Sequence, residues 1–300
     1  MKITKLTPQG FCKGVTKAIY IINKALEDEN IQKPIYMLGN IVHNKNIVKA
    51  FENKGIIILD GESRLKMLDH INQGTVIFTA HGVSEAVKEK AIKKGLNIID
   101  ATCRDVKRTH QIIKDKLSEG YHILFYGKEG HPETEGVLGL SKQITLVNKN
   151  TSIKQLPFYS GKMILTNQTT MSYHDVIEYY DILKNKYPQL ELLEEVCSAT
   201  RRRQEAVAQA KDFDLCIIVG DHLSNNTKML KEVSESKAHI NAILVEDVKD
   251  LQGIDFTKYK NIAITAGAST PNAIVEEIIQ ALINKEQIFI SKLTDLDYLK

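Results

Sequence analysis

The sequence predicts an α/β protein of three pseudo-symmetric lobes, each built on a small, mainly parallel β-sheet. Two observations lead to this fold class. Short β-branched runs alternate with amphipathic stretches of about ten to fifteen residues, the pattern of strands and crossover helices in parallel sheets. The chain also resembles itself three times, and an internal repeat of this kind indicates equivalent structural units.

The predicted elements follow one another regularly along the chain. Apolar runs are predicted strands because they are short, rich in β-branched residues and end in glycine or polar turns. In chain order they are "KPIYMLG", "GTVIFTAHG", "YHILFYGKEG", "KMILTNQTT", "DLCIIVGDH" and "NIAITAGAS". Stretches such as "SEAVKEKAIKKG" and "PNAIVEEIIQALINK" have the periodicity of helices that cover a sheet.

Three cysteines mark the repeat, because each stands just before a predicted helix. They are Cys12 in "GFCKGVTKAIYIINKAL", Cys103 in "ATCRDVKRTHQIIKDKL" and Cys197 in "VCSATRRRQEAVAQAKD". Each helix leads to a strand ending in glycine, and a polar residue follows four positions later: His43, His131 or Ser224. A later strand of each unit ends in a polar turn with His81, with Thr169 and Thr170, or with Ser269. We therefore predict lobes at residues 1–102, 103–196 and 197–300.

These polar positions coincide with the carboxyl ends of predicted strands, where parallel α/β folds bind their ligands. If the lobes pack around a pseudo-threefold axis with those ends inward, the polar residues meet in one central cavity. We expect the functional site there.

Charge and hydropathy exclude several classes of partner. The formal net charge is only +3, and the basic residues are spread along the chain. The exception is "RRR" at 201–203, which we interpret as the polar face at the start of a helix. Neither nucleic acid nor a membrane surface is an expected main partner. The sequence contains neither a signal-peptide pattern nor about 18 consecutive apolar residues, so we expect a soluble, cytoplasmic protein.

The cysteines suggest a metal centre. Cys216 lies in the apolar run "DLCIIVG" and is predicted to be a core residue. Cys12, Cys103 and Cys197 precede helix N-termini, where the helix dipole favours a thiolate. Three thiolates can hold zinc or an iron–sulfur cluster and leave one metal position open for catalysis. Because no histidine matches them in the repeat, an iron–sulfur cluster is favoured over zinc.

The remaining polar residues suit an anionic ligand. His43, His81 and His131, joined by Ser224, Asn226 and Ser269, form a predicted cradle of hydrogen-bond donors for an anionic head group such as a diphosphate. Glu133 in "HPETEG" is the one carboxylate predicted to lie within the cavity. Beside His131 and the hydroxyl of Thr169, it could deliver protons to a bound substrate.

A series of motifs gives the sequence a specific resemblance. The motifs "GFCKGV", "VHN", "AHGVS", "DATC", "GHPETEG", "QTT", "RQEAV" and "TAGASTP" occur in this order along nearly the whole chain. On these motifs the sequence resembles the LytB/IspH family of 4-hydroxy-3-methylbut-2-enyl diphosphate reductases.

The resemblance implies a three-lobed α/β fold around a central [4Fe–4S] cluster held by Cys12, Cys103 and Cys197, with one open iron. It implies reductive dehydroxylation of (E)-4-hydroxy-3-methylbut-2-enyl diphosphate to isopentenyl and dimethylallyl diphosphate, the last step of the non-mevalonate isoprenoid pathway. Reduced ferredoxin or flavodoxin would supply the electrons. The diphosphate would be held by His43, His81, His131, Ser224, Asn226 and Ser269, with Glu133, Thr169 and Thr170 near the hydroxymethyl end.

Some positions depart from the family pattern. Asn225 stands where the family commonly has a second serine before Asn226, and its amide can still donate a hydrogen bond to the diphosphate. Arg104 and Asp105 follow Cys103, where a proline is usual directly after the cysteine. Ser198, Arg201 and Arg202 are also atypical.

Other readings of the same residues remain open at this point. A three-cysteine [4Fe–4S] dehydratase or synthase of quinolinate-synthase type would also combine three α/β lobes with an open iron. A non-catalytic iron–sulfur sensor and a zinc-binding module are the further alternatives. The histidines of "VHN", "AHG" and "HPE" favour a diphosphate over a dicarboxylate ligand, and a sensor would leave Glu133 without a purpose.

Overall fold

In the computed structural model, which describes residues 1–284, 291 and 293–299, short strands form three four-stranded sheets. The strands are β1 (Lys2–Lys5), β2 (Ile35–Leu38), β3 (Ile56–Leu59), β4 (Thr75–Phe78), β5 (Asn97–Asp100), β6 (His122–Tyr126), β7 (Ile144–Val147), β8 (Met163–Asn167), β9 (Leu190–Leu192), β10 (Leu215–Val219), β11 (Ala242–Val245) and β12 (Asn261–Ala266).

Helices connect the strands of each sheet. They are α1 (Lys13–Leu26), α2 (Lys45–Asn53), α3 (Arg64–Met67), α4 (Glu85–Lys93), α5 (Arg104–Ser118), α6 (Pro132–Leu138), α7 (Tyr173–Lys186), α8 (Ser198–Ala208), α9 (Asn225–Ser236), α10 (Asn272–Asn284) and α11 (Asp295–Tyr298). Short 3₁₀ turns lie at Leu68–His70, Ile153–Gln155 and Val248–Leu251. None of the helices in the described part of the chain is long and apolar enough to cross a membrane.

The three sheets have the same strand order. Read from one edge, the orders are β5-β4-β2-β3, β9-β8-β6-β7 and β1-β12-β10-β11. Parallel pairing joins β2 to β4, β6 to β8 and β10 to β12 at the equivalent place in each sheet. The predicted α/β class with small parallel sheets is therefore confirmed, and the sequence repeat corresponds to a repeated topology.

The N-terminal strand completes the C-terminal sheet. In β1, Lys2 pairs with Asn261 and Lys5 with Ile264 of β12, and the amide of Lys2 donates to the carbonyl of Lys260 at 2.7 Å. Because β1 occupies the edge place that β5 and β9 occupy in the other sheets, Cys12 follows the equivalent strand. The predicted lobe boundaries at residues 102 and 196 stay a prediction.

Successive side chains of the central strands point to opposite faces of the sheet, and both faces are covered by buried apolar residues. In β10, Ile217 and Val219 pack in one buried cluster, while Cys216 and Ile218 pack in the cluster on the opposite face. The second sheet repeats this pattern, with Leu124 and Tyr126 on one face of β6 and Ile123 and Phe125 on the other. As predicted, Cys216 is a fully buried core residue.

The described residues form two compact units. Unit 1 contains Met1–Tyr20, Asn40–Ile58 and Ser198–Lys300, and unit 2 contains Ile21–Gly39 and Leu59–Cys197. The C-terminal helix α11 packs within unit 1, where Asn53 of α2 donates to Asp295 at 2.7 Å.

Candidate functional site

The three cysteines of the repeat have the same backbone anchor. Each follows the edge strand of a sheet, and its amide donates to a carbonyl in the turn after the neighbouring strand. The bonds are Cys12 to Ala268 at 3.2 Å, Cys103 to Ala80 at 3.0 Å and Cys197 to Thr169 at 3.0 Å. These turns carry the predicted ligand-binding residues Ser269, His81 and Thr169. Cysteine and ligand turn are thus joined in the same way in all three sheets.

Each of these cysteines also lies at the start of a helix. Cys103 is the N-cap residue of α5, and α1 and α8 begin directly after Cys12 and Cys197. The amide of Val15 in the first turn of α1 donates to the sulfur of Cys12 at 3.4 Å. All three are free thiols and half-buried, whereas burial raises the pKa of Cys216 to about 11. Cys216 lies in the core and not at a helix N-terminus, so it lacks the environment of a metal ligand.

The three cysteines supply sulfur donors of the kind that an iron–sulfur cluster requires. No group of three or more His, Cys, Asp or Glu side chains within residues 1–284, 291 and 293–299 is close enough to hold one metal ion. Cys12, Cys103 and Cys197 are half-buried free thiols, and thiolates are the usual ligands of iron–sulfur clusters.

Glu133 is a deeply buried carboxyl group of unit 2. Its side chain is 1% exposed. The backbone amide of Thr169 donates to Oε1 at 2.7 Å, and the Thr169 hydroxyl donates to Oε2 at 2.9 Å. The predicted juxtaposition of Glu133 and Thr169 is therefore present, and it joins α6 to the turn after β8.

The environment of Glu133 keeps a proton available near neutral pH. Burial raises the pKa of Glu133 to about 7, and the negative charge of Asp105 acts in the same direction. The two hydrogen bonds from Thr169 lower the pKa but do not cancel the effect of burial. A carboxyl group with a pKa close to the working pH suits proton transfer in either direction.

His131 is bonded to the backbone of Glu133, and His81 contacts the ring of His131. His131 caps α6, because its Nδ1 accepts from the amide of Glu133 at 3.1 Å. In the neutral imidazole this bond assigns the proton to Nε2, which can then donate to a ligand. The ring of His81 meets the ring of His131 edge-on, with centroids 5.1 Å apart. The two predicted histidines of unit 2 thus contact each other, and His131 is bonded to the backbone of Glu133.

In unit 1 the structure brings together the turns of three predicted ligand residues. The hydroxyl of Ser269 lies 3.3 Å from the carbonyl of His43 and 3.3 Å from the hydroxyl of Ser224. Ser224 is the N-cap residue of α9, and its side chain accepts from the amide of Thr227. Small hydroxyl groups at a helix N-terminus suit an anionic ligand.

The two asparagines after Ser224 differ in their surroundings. Asn226 accepts from the amide of Ala268 at 2.9 Å and donates to the hydroxyl of Thr200 at 3.1 Å. Its amide therefore joins α9 to α8 and to the turn that anchors Cys12. Asn225, where the family pattern has serine, is the first residue of α9 and is buried.

Two further residues of the site, Gln168 and Arg203, were not predicted from the sequence. Gln168 is fully buried; its carbonyl accepts from the amide of Lys128 and the hydroxyl of Thr134, and its amide donates to Thr170 at 2.8 Å. Its only signal is its place in the motif "QTT".

The interpretation of "RRR" as the polar face of a helix is wrong for Arg203. Its side chain is only 3% exposed and donates to the carbonyls of Gly10 at 2.6 Å and Ala199 at 2.8 Å. Arg203 points into unit 1 because the inner face of α8 covers the segment that leads to Cys12. The exposed side chain of the run is Arg202.

Comparison with known proteins gives one consistent result. The model of the family described as LytB protein matches residues 3–283. The 4-hydroxy-3-methylbut-2-enyl diphosphate reductase of Geobacillus kaustophilus is 49% identical over 284 residues, which are 94% of this chain and 90% of that protein. The reductase of the same name from Macrococcus caseolyticus is also 49% identical, over 93% of this chain and 88% of its own.

Solved structures agree with the sequence comparison. The E-1-hydroxy-2-methyl-but-2-enyl-4-diphosphate reductase from Plasmodium falciparum superposes with a TM-score of 0.87 and is 31% identical, covering 96% of this chain and 90% of that chain. A second structure is described as (E)-4-hydroxy-3-methyl-but-2-enyl diphosphate reductase, the terminal enzyme of the non-mevalonate pathway. It has a TM-score of 0.64 and 29% identity, covering 94% of this chain and 99% of its own.

Proposed function

The chain belongs to the LytB protein family, and from this premise we propose that it reduces (E)-4-hydroxy-3-methylbut-2-enyl diphosphate to isopentenyl and dimethylallyl diphosphate. It is an oxidoreductase of the non-mevalonate isoprenoid pathway. The reaction consumes two electrons and two protons. The hydroxyl group leaves with one proton as water, and the second proton adds to an allylic carbon.

The observation that carries the proposal is the environment of Glu133. The carboxyl group is buried, bonded twice to Thr169 and has a pKa of about 7, so it can hold and release a proton at neutral pH. A reaction that expels a hydroxyl group as water needs such a proton donor. Thr169 positions both carboxyl oxygens, and His131 caps the helix that carries Glu133.

The proposed ligands of a [4Fe–4S] cluster are Cys12, Cys103 and Cys197. When bound, the cluster supplies electrons and an open iron as a Lewis acid for the substrate oxygen. The chain contributes three half-buried thiols at helix N-termini, where the thiolate form is favoured. Their shared backbone anchor supports a single role for all three.

The proposed substrate ligands are donors without a formal negative charge, which suits a diphosphate. Their distribution over turns at strand ends and helix N-termini supports this role. The set is His43, His81, His131, Thr169, Thr170, Ser224, Asn225, Asn226 and Ser269. We assign proton transfer to Glu133 with Thr169 and His131.

The proposed electron donor is a reduced ferredoxin or flavodoxin, because each delivers electrons singly. The proposed location of the reaction is the cytoplasm.

Anaerobic turnover tests this function. Cluster-reconstituted protein should convert the hydroxymethylbutenyl diphosphate to both products when reduced viologen supplies the electrons, as followed by viologen absorbance and product chromatography. A brown, iron-loaded preparation that leaves the substrate unchanged would refute the proposal. Colourless, zinc-loaded protein would instead favour a zinc-binding module.

A further inference from the structure

Arg64 is a buried cation that no step described above uses. It lies in α3 of unit 2, and only 7% of the residue is exposed. Its Nε donates to the carbonyl of Leu38 at 3.3 Å and its Nη2 to the hydroxyl of Thr79 at 3.4 Å. Both hydrogen bonds are long, and both acceptors are uncharged.

The charge of Arg64 is not balanced by a direct ion pair. Among the described residues, no carboxylate lies within ion-pair distance of its guanidinium group, and Asp60 and Glu135 act on it only at longer range. Burial lowers the pKa of Arg64 to about 10, so the group still carries its charge at neutral pH. Burying a charge without a close counterion is unfavourable even after relaxation of the surroundings.

The position of this charge coincides with the end of the sheet where ligands are expected. Leu38 is the last residue of β2, and Thr79 follows β4 directly, two residues before His81. Gly39 has φ of +76°, and a Cβ atom there would lie 3.4 Å from Nη2 of Arg64. A glycine therefore suits the backbone conformation beside the guanidinium group. The carboxyl ends of parallel strands are the usual location of ligands in such folds.

We propose that Arg64 is a positioning residue for the diphosphate. Its buried positive charge, beside the turns after β2 and β4, attracts the anionic head group. Its hydrogen bond to Thr79 holds the turn that carries His81. The inference rests on the proposed function, since it assigns Arg64 to the same substrate. Glu135, which acts on Arg64, lies on α6 together with Glu133, so the charge also lies near the helix of the proposed proton donor.

The test compares Arg64→Met, which removes the charge at similar volume, with Arg64→Lys, which keeps it. Full-length, anaerobically reconstituted variants are titrated with inorganic diphosphate by calorimetry, and the KM and kcat for the hydroxymethylbutenyl diphosphate are measured separately. Arg64→Met should weaken diphosphate binding and raise KM about tenfold, because a unit charge at low effective dielectric contributes on this scale. It should leave kcat nearly unchanged and should not lower Tm, since an apolar replacement removes a buried charge. Arg64→Lys should retain most of the affinity.

Lys93→Met is the matched control, because it removes an exposed charge of the same unit that solvent screens. It should bind diphosphate like the parent protein.

Arg64→Gln keeps hydrogen-bond donors without the charge and replaces Arg64→Met if that variant does not fold. The proposal is overturned if the uncharged variants bind diphosphate as tightly as the parent, or if Arg64→Lys is as weak as they are. Failure of the parent protein to turn over would refute the proposed function, whereas normal turnover with an unchanged KM in Arg64→Met would refute this inference alone.

Discussion

At the scale of single residues, the protonation of one carboxyl group determines much of the proposed chemistry. Glu133 lies where water cannot stabilise its charge, and Thr169 donates to both of its oxygens. Burial disfavours the carboxylate and the hydrogen bonds favour it, which leaves the pKa of Glu133 at about 7. Without the bonds from Thr169, burial would raise the pKa of Glu133 further and hold its proton more tightly.

Replacement of Glu133 tests its role in proton transfer. Glu133→Gln has nearly the same shape but cannot release a proton, so kcat should fall by about 10² to 10⁴-fold. Iron content should stay at the parent level. Glu135→Gln is the control, because Glu135 is the exposed glutamate of the same helix and its loss should leave turnover nearly unchanged. Full turnover by Glu133→Gln in the anaerobic assay would remove Glu133 from the mechanism.

The raised pKa of Glu133 also predicts how stability depends on pH. The folded protein binds this proton more tightly than the unfolded chain, in which the pKa is near 4.5. The resulting stabilisation is full below about pH 4.5 and is lost as the pH rises to about 7. The free energy of unfolding of the parent minus that of Glu133→Gln should fall by roughly 3 kcal/mol across this window. Denaturant titrations at several pH values measure it, and a difference that is constant or rises with pH would contradict the assignment.

Candidate site residues could be selected from the sequence, but their supports could not. Cys12 and His81 have equivalents in the other units of the repeat, and Glu133 follows His131 in "HPETEG". Gln168 and Arg203 could not be selected, because their significance lies in burial and in partners distant along the chain. In a run of three arginines, nothing local distinguishes the one that faces the interior.

At the scale of elements, the recurring unit is an edge strand followed by a cysteine and a helix. The backbone amide of the cysteine is hydrogen-bonded to the turn that follows the neighbouring strand of the sheet. The hydrogen bonds donated by the backbone amides of Cys12, Cys103 and Cys197 repeat this arrangement in every sheet. The arrangement in the third sheet was not foreseen, because β1 is a short, polar edge strand whose partner β12 lies near the other end of the chain. Hydrophobic pattern alone does not predict such a pairing.

Gly10 tests the importance of the segment between β1 and α1. Its φ is +70°, and a Cβ atom there would meet Oδ1 of Asn272 at 1.9 Å. Gly10→Ala should destabilise the protein by about 1 to 2 kcal/mol through backbone strain, because the exposed side chain of Asn272 can move aside. Since the Gly10 carbonyl accepts from Arg203 two residues before Cys12, iron retention should also fall.

Gly55→Ala is the matched control for Gly10→Ala. Gly55 has φ of +87° with nothing within 4 Å of the added Cβ atom, so only backbone strain of about 1 to 2 kcal/mol is expected there. Thermal unfolding and iron analysis measure both variants. Gly55→Ala should keep its iron, and an equal loss of iron in the two variants would show that the segment before Cys12 has no special importance.

At the scale of the whole molecule, the repeat in the sequence and the repeat in topology describe the same organisation. The class of fold could be predicted because parallel strands and crossover helices leave a strong pattern of alternating apolar runs. The contribution of β1 to the C-terminal sheet could not, since it depends on the arrangement of distant segments. Membership of the LytB family agrees with this organisation over residues 3–283.

The central claim is that three equivalent cysteines, one following the edge strand of each sheet, hold one cluster. Iron and sulfide analysis of anaerobically reconstituted protein, with a separate serine variant for each of the four cysteines, tests it most directly. The parent and Cys216→Ser should each contain about four irons and four sulfides per chain. Cys12→Ser, Cys103→Ser and Cys197→Ser should each lose most of both, together with the visible absorption. Parent-like iron and sulfide in any of those three variants, or their loss only in Cys216→Ser, would contradict the account.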